Sequence, residues 1–157
     1  MGNRRELAEK EYNAVWDKFY EIFDFKPSTT KFPGIRTTFP QLKLSLKHDS
    51  SDNEVDKFYE LAYQLFVKIT GEGERLYGLD WQHECCDFDP RQSTKGERIP
   101  IYPDGDYAIV LTKDFKNVWF GHPWEDTITI IGEKFVLEAS KMLNEFEKIK
   151  ITVYNKT

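Results

Sequence analysis

Only two cysteines occur in the chain, Cys85 and Cys86, and they are adjacent. Neighbours on a strand point to opposite faces, so these two do not pair, and no disulfide framework is available. Thiols of this kind are expected in a cytoplasmic protein. No run approaches the roughly 18 apolar residues that a membrane-spanning helix needs. Met1-Gly2-Asn3-Arg4-Arg5 is charged, but a charged helical pattern follows it, so no secretory signal is read. A basic surplus is lacking too: 22 Lys and Arg stand against 27 Asp and Glu, for a net charge of −5. Phosphate neutralisation needs the opposite balance, which argues against general nucleic-acid binding and against anionic membrane surfaces. Several chemical motifs are missing as well. There is no H-E-x-x-H, no C-x-x-C, no nucleophile elbow and no phosphate-cradling glycine loop. No metal ligands, cofactor or enzyme class are therefore assigned from the sequence.

What is abundant is aromatic. Hydrophobic residues make up only 39% of the chain, but 12 Phe, 8 Tyr and 4 Trp are among them. Each buried aromatic removes on the order of 150–250 Å² from water, so few residues can build a sufficient core. The 157 residues fit one domain spanning 1–157.

Apolar residues at three- and four-residue spacing predict a helix over roughly 4–24, ended by Lys26-Pro27-Ser28. Leu42, Leu44 and Leu46 alternate with polar residues and predict a strand. Ser51-x-x-Glu54 is a capping box opening a second helix, with Gly71 at the position of a C-terminal cap. Residues 76–89 read as one strand, with Leu79, Trp81, His83, Cys85 and Asp87 on one face. Residues 90–105 read as a loop, of a length that is often functional or mobile. Three strands follow at about 106–113, 117–122 and 126–131. A third helix is expected over 133–146, and Ile149, Ile151 and Val153 could add an edge strand. The fold class is α+β: a single domain with a mostly antiparallel sheet of four to six strands, flanked by about three helices.

Residues 80–125 hold two of the three histidines and three of the four tryptophans. Each histidine sits beside tryptophan and carboxylates, in Asp80-Trp81-Gln82-His83-Glu84 and Gly121-His122-Pro123-Trp124-Glu125. Between them, Pro103-Asp104-Gly105-Asp106 reads as a turn with Gly105 at positive φ; it is too short for a calcium loop of about twelve residues. Cys85 and Cys86 read as buried structural thiols, and Trp16 and Trp119 as core.

Three functional readings follow. The leading one is a small non-catalytic binding protein whose surface is built from Trp81, His83, Asp104, Asp106, His122, Trp124 and Glu125. Its expected partner is a protein, and its acidic character suits a basic one. The second is a small metal-assisted hydrolase, with His83 and His122 as ligands or acid–base groups and Asp104 or Asp106 completing the site. The third is a binder of nucleotides or nucleotide signals that uses the aromatics for stacking, with Arg91, Lys95 and Arg98 near the phosphates.

Three segments carry a resemblance. Leu79-Asp80-Trp81-Gln82-His83, Ile101-Tyr102-Pro103-Asp104-Gly105-Asp106-Tyr107 and Phe120-Gly121-His122-Pro123-Trp124-Glu125 resemble an uncharacterised bacterial family. It is a domain of unknown function found mainly in spore-forming Gram-positive bacteria. The resemblance runs from Trp16-Asp17-Lys18-Phe19 to the third helix and implies no activity. Gly105-Asp106-Tyr107, the hairpin after it and Ile131-Gly132-Glu133 with the closing helix are also similar to the SUKH-type immunity superfamily. That likeness implies a small α+β module that binds toxins or other proteins, an immunity- or defence-related role. The His-Pro-Trp-Glu turn departs from that pattern.

Overall fold

A computed structural model describes residues 4–46, 51–81, 83–92, 99–103, 105–149 and 152–154, the last by backbone alone. Among these, eight strands form one sheet: β1 (Arg4–Glu6), β2 (Gln41–Ser45), β3 (Leu76–Asp80), β4 (Cys86–Phe88), β5 (Ala108–Thr112), β6 (Val118–His122), β7 (Thr127–Ile131) and β8 (Thr152–Tyr154). Their order is β1-β4-β3-β5-β6-β7-β2-β8, and every pairing is antiparallel. The helices are α1 (Glu9–Phe23), α2 (Asp52–Lys68), α3 (Glu133–Ser140) and α4 (Leu143–Lys148). The α+β class and the antiparallel sheet agree with the sequence expectation, with more strands than the four to six expected.

The sheet is covered on both sides, so its central strands are buried along their whole length. On one face Leu42, Leu44, Val110, Trp119, Ile128 and Ile130 pack under α2, α3 and α4. On the other, Ile109, Leu111, Val118, Phe120 and Ile131 meet Val15, Trp16, Phe19 and Phe23 of α1. Cys85 belongs to the second core and Cys86 to the first, both as free thiols. Burial raises both thiols, Cys86 to about 11, which leaves them unreactive. Trp16 and Trp119 are core, as expected.

Four local expectations are corrected. First, Arg4–Glu6 is strand rather than helix, because β1 pairs with β4 and Arg5 bonds the buried carboxylate of Asp87. Lys113 at 2.9 Å and Arg75 at 2.9 Å complete that cluster. Burial pushes Asp87 up, but these three cations outweigh it and hold it below the usual carboxylate range. Second, the expected strand over 76–89 is a hairpin. β3 stops at Asp80, His83 N–H closes a turn on the Asp80 carbonyl at 3.1 Å, and β4 returns with Gly78 opposite Cys86. Third, the expected third helix breaks at Lys141–Met142. The Ser140 hydroxyl donates back to the Val136 carbonyl at 2.7 Å, which competes with continued helix, and Met142 and Phe146 turn into the core. Fourth, the capping box of α2 forms as expected, but Gly71 is not its terminator. Arg91 caps that end, donating to the carbonyls of Val67, Thr70 and Gly71. Of the expected loop, Pro90–Gln92 is a single 3-10 turn. Ile99 and Ile101 are buried, their N–H groups donating to Tyr63 and Tyr59 hydroxyls of α2. Lys95 and Arg98 lie outside the described residues.

Candidate functional site

The sheet register decides where the site lies. Asp80 is opposite Ala108, Ala108 opposite Gly121, and His122 opposite Thr127. The exit of β3, the entry of β5, the exit of β6 and the entry of β7 therefore share one end of the sheet. The turns carrying Trp81 and His83, Asp106 and Tyr107, and Trp124 and Glu125 gather there. The segment after α1 reaches the same end, where the Ser28 N–H donates to the Tyr107 hydroxyl at 3.0 Å.

Tyr107 is the hub. Its ring is 1% exposed and lies 5.6 Å from Trp81, 5.4 Å from Trp124, 4.8 Å from His122 and 5.1 Å from Phe25. Most of these rings meet edge to face, the arrangement that their quadrupoles favour. Around this wall the surface is aromatic too: Trp124 is 38%, Tyr20 40% and Phe32 43% exposed. Tyr20 accepts a hydrogen bond from the Trp81 indole at 3.3 Å, and the Phe32 ring lies 4.7 Å from that of His122. Trp81 is half-buried between wall and surface.

The two histidines do opposite things. His83 is exposed, and its Nδ1 lies 3.2 Å from Asp80 Oδ1 and 3.0 Å from Asp106 Oδ2. Asp80 first and Asp106 second raise its pKa, favouring the imidazolium. His122 is fully buried. Its Nδ1 accepts from the N–H of Trp124 at 3.2 Å and of Glu125 at 3.1 Å, so the ring is neutral with its proton on Nε2. Burial lowers its pKa to about 4. His122 thus holds the β6–β7 turn from inside, and its nearest rings separate it from solvent. The two histidines do not share a ligand set. Among the described residues, Asp80, His83 and Asp106 form a cluster of three possible metal-ligating side chains.

A pH prediction follows. An unfolded histidine titrates near 6.5. Between that value and about 4 the unfolded chain takes up a proton that folded His122 does not. This contribution to stability is complete above about pH 6.5 and falls by on the order of 3 kcal/mol towards pH 4. Long-range imidazole NMR spectra are expected to show His122 as the Nε2–H tautomer at pH 5.5, with His83 already an imidazolium. A His122 that titrates at or above pH 6.5 would contradict this.

Glu125 lies at this end, but its charge is taken: Lys43 donates to it at 2.7 Å and the Thr127 hydroxyl at 2.9 Å. Asp104 lies outside the described residues. Gly105 takes φ +79, as expected for the turn into β5. Three contributors were not read from the sequence: Tyr20, Phe32 and Ser28. They come from the helix and loop farthest away along the chain, and no local pattern marks them.

A family model for proteins of unknown function, DUF2716, matches residues 6–136. The chain belongs to the DUF2716 family. It is also 29% identical over 152 residues to the uncharacterised protein YxiI of Bacillus subtilis strain 168, covering 88% of this chain and 93% of that relative. The uncharacterised bacterial family expected from the sequence is thus the right one. No solved structure matches the chain. No helix among the described residues is long and apolar enough to cross a membrane. In this DUF2716 chain the matched residues include all four strand ends that build the site.

Proposed function

We propose that this DUF2716 domain is a non-catalytic binding module that docks a basic protein surface on the aromatic end of its sheet. The observation that carries this reading is the exposed pair Tyr20 and Trp124, packed on Trp81 and Tyr107 beside Asp80 and Asp106; Phe32 extends the aromatic surface towards Lys26, Lys31 and Arg36. Large aromatics are the usual anchors of interfaces, and carboxylates at their margin select a cationic partner. Asp80 and Asp106 flank the aromatic wall. A shallow depression beyond His83 is lined by Glu6, Glu9 and Glu84 as well. The expected immunity- or defence-related role is one instance of this reading, with a basic toxin domain as the partner. His122 and Glu125 support the surface from behind rather than meeting the partner.

The test is native mass spectrometry of the protein retrieved from a lysate of its own host. A basic protein at fixed stoichiometry is expected. Trp124→Ala is expected to weaken capture at least about tenfold. Asp106→Asn, which keeps an acceptor for the Tyr107 N–H, is expected to weaken it and to lessen its salt dependence. An acidic partner, or full capture by both folded variants, would sink the proposal.

A further inference from the structure

At the turn between β3 and β4, three oxygens converge on one nitrogen. His83 Nδ1 lies 3.2 Å from Asp80 Oδ1, 3.2 Å from the Trp81 carbonyl oxygen and 3.0 Å from Asp106 Oδ2. A ring nitrogen carries one proton at most, and one proton cannot serve three acceptors in good geometry. The side-chain donor atoms of Asp80, His83 and Asp106 all lie within 4.8 Å of one another. Among the described residues, no lysine or arginine forms an ion pair with either carboxylate. We propose that this turn is a divalent transition-metal site, with His83 Nδ1, Asp80 Oδ1, Asp106 Oδ2 and the Trp81 carbonyl as ligands and water in the remaining positions.

The distances suit such an ion. Metal–nitrogen and metal–oxygen bonds of about 2.1 Å place neighbouring ligands about 3.0 Å apart at octahedral right angles and about 3.4 Å at tetrahedral ones. Of the three separations at His83, that to Asp106 matches the octahedral value and the other two, at 3.2 Å, fall midway. Two carboxylates balance a 2+ charge. One imidazole among oxygens selects manganese, ferrous iron or zinc over calcium and magnesium, which prefer oxygen alone. The surroundings orient the ligands. The Tyr107 N–H donates to Asp106 Oδ1 at 2.8 Å, leaving Oδ2 for the site. The His83 N–H donates to the Asp80 carbonyl at 3.1 Å and closes the turn that carries three of the four ligands. The ion goes beyond the binding-module reading, because it ties the β3–β4 turn to the segment that enters β5.

Manganese is the probe. Mn²⁺ titrated into chelator-treated protein, followed by calorimetry, is expected to bind one equivalent. Paramagnetic broadening in amide spectra is expected around residues 80–83 and 106–107. Asp80→Asn and Asp106→Asn should each weaken binding at least about tenfold. Glu60→Gln, an exposed carboxylate on α2 away from the set, should leave it unchanged. Should Asp106→Asn fail to fold, Asp80→Asn on the half-exposed turn carries the test. No binding at millimolar Mn²⁺ would overturn the site, as would broadening elsewhere. So would binding that is lost in His83→Gln but kept in both aspartate variants, since that is a lone surface imidazole. A bound ion would neutralise Asp80 and Asp106, the acidic margin of the proposed docking surface; the titration is done without a partner and partner capture with a chelator present, so that each can fail separately.

Discussion

Tyr107→Ala is expected to destabilise the domain by about 4 kcal/mol, because it removes a fully buried ring from the middle of a packed cluster. The loss extends beyond area. Trp81, His122 and Trp124 each rest an edge or face on this ring, and Phe25 and Phe120 close it from the α1 side. Without it the exposed tryptophan loses its backing, and the His122 ring gains access to water. Tyr107→Phe keeps the ring and loses only the hydroxyl shared with the Ser28 backbone, a change of about 1 kcal/mol. Urea unfolding followed by tryptophan fluorescence separates the two. Equal losses in both variants would show that the hydroxyl, not the ring, holds this end together.

Gly132→Ala is expected to be as damaging, on the order of 4 kcal/mol, at a place with no role in the site. Gly132 has φ +115 at the entry to α3. A Cβ there would sit 2.2 Å from the Lys116 carbonyl oxygen and 2.5 Å from Asn117 Oδ1. Neither neighbour is free to move. Asn117 Oδ1 accepts from the Phe135 N–H in the first turn of α3, and the Gly132 N–H donates to the Pro40 carbonyl at 2.9 Å. Three segments of chain meet at one missing side chain. A variant within about 1 kcal/mol of the parent in urea would refute this account.

How much of this could be read beforehand differs from element to element. The α2 capping box and the three strands from β5 to β7 were legible because their signals are local: a Ser and Glu three apart, and short apolar runs with turns between them. The β3–β4 hairpin was not legible. Its turn, Trp81–Cys85, contains no glycine or proline, and alternation reads straight through it. β1 was hidden for a different reason. Its identity depends on Asp87, far along the chain, whose burial needs Arg5. The site shows the same division. The cluster of tryptophans, histidines and acids did mark the correct end of the sheet. It could not tell that His122 faces inward while His83 faces outward, because that depends on which strand ends before its histidine and which ends on it.

Among the described residues the sheet finishes in β1 on one side and β8 on the other. An open strand is a template for another chain, and its appeal grows with its length. On β1 the described edge carries Arg4, Arg5 and Glu6, all exposed, with Arg5 held by Asp87. A strand added along β1 would have to lie against these charges. The charged edge guards this side of the sheet against growth by strand pairing.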